Sequence, residues 1–275
     1  MSVKKERLDV LLVERGFFES REKAKGAIMA GLVFAGGERI DKPGTKIPRD
    51  AELTVKGSTH PYVSRGGLKL EKALKTWGID LTDAIVLDIG ASTGGFTDCA
   101  LQNGASYVYA VDVGYNQLDW RLRNDPRVHV MERTNFRYMQ PGDLPGPKPT
   151  FATIDVSFIS LKLILPPLHA LLAAGGEAVA LIKPQFEAGK EKVGKSGVVR
   201  DPQVHREVLE HVLRFADDAG FGLLGLTFSP ITGGEGNIEF LAYFAMKADR
   251  PDIVPESERQ ALILQTIADA SSAFA

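Results

Sequence analysis

The chain has 275 residues, 44% of them hydrophobic, enough to bury one full α/β core and leave length for a small second domain. Its formal net charge of -2 excludes a uniformly basic surface, but residues 1–60 carry twelve Lys and Arg against nine Asp and Glu, a local surplus of three that leaves a deficit of five elsewhere. A single cysteine, Cys99, excludes an internal disulfide, and the most apolar stretch, residues 161–182, is interrupted by Lys162, Pro166, Pro167, Gly175, Gly176 and Glu177, which excludes a membrane span.

Residues 6–56 are expected to form a compact unit of two helices and short strands. Leu8, Leu11 and Leu12 line one face of a short helix, Ser20 is placed to cap a second whose apolar stripe is Ala24 and Ile28, and Gly31 ends it. Val33-Phe34 and residues 53–55 read as short strands around the turn-rich residues 35–50. Lys4, Lys5, Arg7, Arg21, Lys23 and Lys25 supply an outer basic face able to meet RNA phosphates, although a solvated helix face explains the charge equally well. At the end of this unit Arg65, in Ser64-Arg-Gly-Gly67, is a further candidate phosphate contact, with Gly66 and Gly67 permitting a hinge.

Residues 85–87 read as a buried parallel strand that runs through Asp88 into the turn Gly90-Ala-Ser-Thr-Gly-Gly95 and a helix starting at Phe96. Gly90, Gly94 and Gly95 let backbone approach a ligand, and the amide end of the helix points at it. The spacing Gly-x-x-x-Gly-Gly departs from the dinucleotide fingerprint and suits a ligand with no pyrophosphate, such as S-adenosylmethionine. Asp88 is read as orienting the loop. A second strand, residues 107–111, ends in Asp112, whose carboxylate can accept from both ribose hydroxyls. The competing reading is a ligand-free turn in which Asp112 caps Val113-Gly114-Tyr115.

Strands are expected next at residues 128–130, 150–154 and 177–182, then a long helix over 203–219, a strand over 221–228 and a last strand over 238–244. The alternation predicts an α/β class with a doubly wound, mostly parallel sheet and one antiparallel edge pair. Four charged residues stand at helix starts or strand ends that converge on one crevice in such sheets: Lys69, Asp155, Lys183 and Glu239, the last interrupting an apolar strand. A lone charge in such a place is usually a salt bridge, but four of alternating sign are harder to assign to packing. The loop over residues 187–201 carries Lys190, Lys192, Lys195 and Arg200 among Gly189, Gly194 and Gly197, and reads as a basic, flexible segment able to close over RNA or as a solvated connection. Trp77 and Trp120 read as packing residues. No Cys/His cluster has metal-ligand spacing, so no metal is expected, and no export signal is evident, so a cytoplasmic protein is expected.

Arg7-Leu-Asp9, Leu11-Leu12, Ser20-Arg-Glu-Lys-Ala24, Ile28, Gly31 and Val33 resemble the small RNA-binding domain named after the fourth ribosomal protein of the small subunit. Tyr62-Val-Ser-Arg-Gly-Gly-Leu-Lys-Leu-Glu-Lys72 and the segments after it resemble the TlyA family, which joins that domain to an FtsJ-like ribose methyltransferase; the likeness spans about residues 3–247. It implies an RNA-binding domain over residues 1–60, a linker over 61–67, a Rossmann-like methyltransferase domain with an antiparallel last strand over 68–250, and a helical tail over 251–275.

Residue by residue, Lys69, Asp155, Lys183 and Glu239 match the Lys-Asp-Lys-Glu tetrad of ribose 2′-O-methyltransferases, which implies transfer of the methyl group of S-adenosylmethionine to a ribose 2′-hydroxyl. Lys183 is the group implied to act on that hydroxyl, either by accepting its proton or by steadying the developing alkoxide as a cation. Gly90, Ser92, Thr93, Gly94, Gly95 and Phe96 are implied near the methionine part of the cofactor and Asp112 at its ribose. Thr134 and Asn135, in Glu132-Arg-Thr-Asn135, are implied near the adenine, where a plain surface turn competes. The implied partner is ribosomal RNA or a ribosomal subunit, with a cytidine as target; oligomeric state is not set by the sequence. Two other readings compete: a noncatalytic RNA-binding protein of ribosome assembly, and a membrane-lytic hemolysin, a label the family also carries. The second is opposed by the lack of a spanning or strongly amphipathic segment and by a cofactor cradle that lysis does not require.

Overall fold

The computed structural model describes residues 5–15, 17, 18, 20–56, 60–194, 196–247, 250 and 252–274. The chain divides into two units, Met1–Pro61 and Tyr62–Ala275. In the first, β1 (Lys5–Arg7) leads directly into α1 (Leu8–Glu14), followed by α2 (Arg21–Met29), β2 (Val33–Ala35), β3 (Glu38–Arg39), β4 (Lys46–Pro48) and β5 (Leu53–Val55). Ser20 caps α2 by accepting a hydrogen bond from the Lys23 amide, and Gly31 just past its end has a φ of 71°, a conformation open to glycine at little cost. The Leu8, Leu11 and Leu12 face of α1 meets Ala24 and Ile28 of α2 and Val33, Ile47 and Leu53 of the strands in one core. β1 pairs with β4, and β3, β2 and β5 form a three-stranded sheet. Both strands of the β1–β4 ladder are three residues long and Ile47 is its one buried side chain, too little alternation to signal a strand in the sequence.

The second unit runs α3 (Gly67–Trp77), β6 (Ile85–Ile89), α4 (Gly95–Gln102), β7 (Tyr107–Val111), α5 (Trp120–Arg123), β8 (Val128–Met131), β9 (Phe151–Ile154), α6 (Leu165–Leu171), β10 (Glu177–Ile182), α7 (Pro184–Glu187), α8 (Pro202–Asp218), β11 (Phe221–Phe228), β12 (Phe240–Met246) and α9 (Glu256–Ala273). Seven strands form one sheet in the order β11-β12-β10-β9-β6-β7-β8. All neighbours are parallel except β12, which is antiparallel to both β10 and β11. Side chains alternate between two apolar layers: Leu87 and Ile89 join one, Val86 the other. Full burial of Val86 or Leu87 is worth about 1.5–3 kcal/mol each.

Strand order reverses between β6 and β9, so the chain leaves these two parallel neighbours in opposite directions and a crevice opens at their carboxyl ends. Gly90 and Asp155 stand at that point. The apolar stripe of α8, from Val208 through Leu209, Val212 and Leu213 to Ala216, packs on the sheet, and α9 covers edge strand β11 with Ile263, Ile267 and Ala270. Residues 62–67, read from sequence as part of a joint, are packed into this second unit. Tyr62 is buried in its core, and the Val63 amide donates to Asp98 Oδ2 at 2.7 Å.

Candidate active site

The turn after β6 needs its glycines for reasons inside the protein. Gly90 has a φ of 86°, and a Cβ there would stand 2.4 Å from the carbonyl oxygen of Asp155 on the neighbouring strand exit. At Gly94 a Cβ would meet the Leu122 side chain, and at Gly95 the Ser64 hydroxyl. Close approach is thus required by packing around the turn, whatever ligand lies above it. Asp88, one residue before the end of β6, is fully buried and accepts from Thr97 Oγ1 at 2.5 Å and Thr153 Oγ1 at 2.8 Å, joining the strand to α4 and β9.

Two clefts open beside this turn and share Gly90, Ser92, Asp155 and Ser157. The first, about 310 Å³, has walls of Val111, Val113, Val156, Ile159 and Ile164, with Asp112, Thr134 and Asn135 also in its lining. That volume lies at the lower end of small-molecule sites, roughly 300–1,000 Å³. Both Asp112 oxygens already accept backbone amides, from Ser92 at 2.8 Å and Gly114 at 2.6 Å, so the carboxylate braces the glycine turn and caps its own. A carboxylate has about four lone-pair sites, which leaves capacity for ribose hydroxyls. Thr134 donates to the Glu132 carbonyl, and Asn135 accepts from the Arg137 amide and caps a short 3-10 turn.

The second cleft, about 260 Å³, is lined by Arg65, Thr93, Gly95 and Phe96 and by all four charged residues singled out in the sequence. They form a chain of alternating sign. Glu239 Oε2 accepts from Lys69 Nζ at 2.6 Å, Lys69 Nζ stands 3.8 Å from Asp155 Oδ2, and Asp155 Oδ1 stands 2.5 Å from Lys183 Nζ. Lys69, Lys183 and Glu239 are each less than a tenth exposed and Asp155 is partly buried, and two cations and two anions so placed hold one another, because removing any one strands its partner in a poorly solvated site. Glu239 lies one residue before β12 and not within it, since pairing with β10 begins at Phe240, opposite Ile182. Its carboxylate packs on Gly233, where a Cβ would be 2.1 Å away.

The profile of the FtsJ-like methyltransferase family matches residues 62–246, and that of the S4 domain matches residues 6–53. The chain belongs to the FtsJ-like methyltransferase family. It is 65% identical over 243 residues to YqxC of Bacillus subtilis, provisionally named an rRNA methyltransferase, covering 88% of this chain and 86% of that one. It is 43% identical over 245 residues to the 16S/23S rRNA (cytidine-2'-O)-methyltransferase TlyA of Mycobacterium tuberculosis, covering 89% and 91%. A solved structure from Streptococcus thermophilus, provisionally named a hemolysin, matches with a TM-score of 0.78 at 56% identity over 99% of this chain and 98% of that one.

The basic residues expected to meet RNA divide into several environments. Arg7 and Arg21 converge on Asp9, which has no exposed surface: Arg7 Nε donates to Oδ1 at 2.9 Å and Arg21 Nη2 to Oδ2 at 2.8 Å, while both arginines keep nearly half their side chains exposed. The Arg7 and Arg21 hydrogen bonds outweigh burial and hold the Asp9 carboxyl down to about 2. Lys5 and Lys23 are exposed and Lys25 is half-buried. Lys4, Lys195 and the Lys190 side chain lie outside the described residues. Lys192 pairs with Glu207 of α8, which engages a cation expected to be available to RNA. Nor is the far half of its loop free, because Val198 and Val199 are buried and Asn237 clasps that half. The Asn237 Oδ1 accepts from the Val199 amide at 3.0 Å and its Nδ2 donates to the Gly197 carbonyl at 2.9 Å. Asn237, unremarked in the sequence, is two residues from Glu239 in an accumulation of glycines that carries no signal of the distant loop it holds. Trp77 stacks on Tyr243, but Trp120, expected to pack, is 67% exposed at the start of the one-turn α5.

Burial pushes the Asp88 carboxyl up to about 6 despite the two threonine hydroxyls that donate to it. Its unfolded value is near 3.9, so the folded state holds the extra proton between those two values. Stability from this group is complete below about pH 4 and is lost as pH rises through about 6. Asp88→Asn, which mimics the neutral form, is expected to remove a loss on the order of 2 kcal/mol between pH 4 and 7. Urea unfolding of both proteins across that range checks this; parallel pH curves count against it.

Proposed function

We propose that this methyltransferase transfers a methyl group from S-adenosylmethionine to a ribose 2′-hydroxyl of ribosomal RNA, at a cytidine, working in the cytoplasm with its S4 domain as the RNA-binding part. The observation that carries this reading is the Glu239–Lys69–Asp155–Lys183 chain at the junction of a nucleoside-sized cleft and an open polar one. The names of the relatives, at 65% and 43% identity over most of the chain, support the RNA substrate.

The first cleft fits the cofactor: apolar walls suit the adenine, the Asp112 carboxylate has acceptor capacity for ribose, and Thr134 and Asn135 in its lining offer polar groups to the adenine. The turn from Gly90 to Phe96, with Ser92 and Thr93 exposed, suits the amino-acid end. When bound, S-adenosylmethionine supplies a methyl group made electrophilic by its sulfonium. The protein must align an acceptor oxygen with that methyl and manage the hydroxyl proton as the new bond forms. Lys183 is the group for that work, because it lines the second cleft and its amine is held by Asp155, which lines both. Lys69 and Glu239 complete the charge balance, with Lys69 drawing Asp155 Oδ2 while Glu239 holds Lys69. Arg65, exposed on the wall of the second cleft, is placed to contact a phosphate of the entering strand.

Transfer of labelled methyl to ribosomal RNA, followed by mapping of the modified nucleotide, tests the reading, since a noncatalytic RNA-binding protein transfers none. Asp112→Ala removes both the ribose acceptor and the brace of the glycine turn. It is expected to weaken S-adenosylmethionine binding on the order of 10–100-fold. Calorimetry measures this directly, and unchanged affinity in a folded variant removes Asp112 from the cofactor site.

A further inference from the structure

We propose that Ser157, which the reading above leaves without a role, is a positioning residue for the transfer: its hydroxyl sets the direction of the Lys183 amine. The inference rests on the assignment of Lys183 to the acceptor hydroxyl. Lys183 Nζ donates to Ser157 Oγ at 3.0 Å and stands 2.5 Å from Asp155 Oδ1. A lysine nitrogen has three positions beyond its carbon bond. With Asp155 as the only anchor, the amine turns about that contact and its remaining positions sweep across the cleft. A second anchor at Ser157 stops the rotation and leaves one position, proton or lone pair, for the acceptor oxygen. Asp155 and Ser157 each line both clefts, so the two anchors fix the amine beside the wall that the clefts share.

The loop that carries Ser157 is built to keep this geometry. Phe158 follows with a φ of 62°, strained for a non-glycine residue, and its ring lies 4.8 Å from that of Phe186 in α7, the helix that begins directly after Lys183. Two residues on, Ser160 Oγ and the Leu161 amide donate to Glu187 of the same helix at 2.6 and 2.8 Å. The loop after β9 and the helix after β10 are therefore fastened at Ser157–Lys183, Phe158–Phe186 and residues 160–161 with Glu187. Two of the three do not involve the reacting lysine; with the Phe158 ring 91% exposed, the hydrogen bonds to Glu187 are the ones that hold Ser157 in place independently of it. Such stiffness matters because small errors in alignment cost large factors in rate.

Ser157→Ala removes one oxygen from an exposed side chain and leaves both other fastenings intact. Single-turnover transfer is measured with S-adenosylmethionine and ribosomal RNA both saturating, together with the half-saturating concentration of each. The expected result is a rate reduced about tenfold with both half-saturating concentrations within twofold of wild type, and recovery of most of that loss in Ser157→Thr, which keeps an acceptor oxygen. A merely structural role predicts no such split between rate and affinity. A wild-type rate in Ser157→Ala overturns the proposal, as does a loss that higher RNA concentration restores, which makes Ser157 an RNA contact. Lys183→Ala run in parallel separates the two ideas: if it is inactive while Ser157→Ala is fully active, only the role of Ser157 fails, and if Lys183→Ala is itself fully active, the assignment of Lys183 fails first.

Discussion

Lys183→Ala is expected to lower single-turnover methyl transfer on the order of 10²–10⁴-fold, the range supplied by a positioned acid or base, while cofactor and RNA affinities stay near wild type. The amine lines the second cleft and is held by Asp155 and Ser157, while Asp112, Thr134 and Asn135 line only the first. Lys183→Arg should fail as well. A guanidinium is planar and broad, so it cannot keep the 2.5 Å contact to Asp155 and the 3.0 Å contact to Ser157 while presenting a single point to an acceptor oxygen. Charge alone would then be insufficient. Saturating both substrates matters, because a weakened complex otherwise imitates a chemical defect. A wild-type rate in Lys183→Ala would falsify the catalytic assignment, and a rate restored by more RNA makes Lys183 a binding residue.

Removal of Met1–Pro61 is expected to leave a folded methyltransferase that binds S-adenosylmethionine but loses RNA affinity on the order of 10²-fold, and with it transfer at ordinary RNA concentrations. The second unit keeps two complete apolar layers without the first, including Tyr62 immediately after the cut. What is lost is the S4 domain and its Arg7 and Arg21 pair. Because Asp9 is buried and its carboxyl is held down to about 2, it stays ionised and fixes both guanidiniums across the working pH range. Two fixed cations lose less freedom on meeting phosphates than two mobile ones. Filter binding against salt reads the effect: the full chain should show a steeper decline of affinity with salt than the truncated one. A truncated enzyme that methylates ribosomal RNA at the full-length rate overturns this assignment.

Local features of the chain account for much of the architecture. Ser20, the Ala24 and Ile28 stripe, and Gly31 mark α2 because capping and left-handed termination depend on residues a few positions apart. The apolar run before Gly90 marks β6 for the same reason: a strand buried on both faces reads as a run and not as an alternation, here broken only by the buried Asp88. Lys69, Asp155, Lys183 and Glu239 are legible as charges at element ends, and a common role for them is what the family resemblance implies.

Contacts between distant segments left no such trace. In the sequence the glycines have one purpose, room for a ligand, whereas in the fold Gly90 also makes room for the Asp155 carbonyl 65 positions away. Lys192 looked available until α8 brought Glu207 beside it, and the basic loop looked mobile until folding placed Asn237 under it. Ser157 carries no signal because a serine in a strand-to-turn segment is ordinary; its meaning comes from standing 3.0 Å from the amine of Lys183, just past the end of another strand. Element type and the place of the glycine turn follow from short-range spacing, which the sequence contains directly. Which charges are paired, which loops are held and which hydroxyl meets the Lys183 amine follow from packing between elements, where partners 15 to 170 positions apart meet only once the sheet has set its strand order.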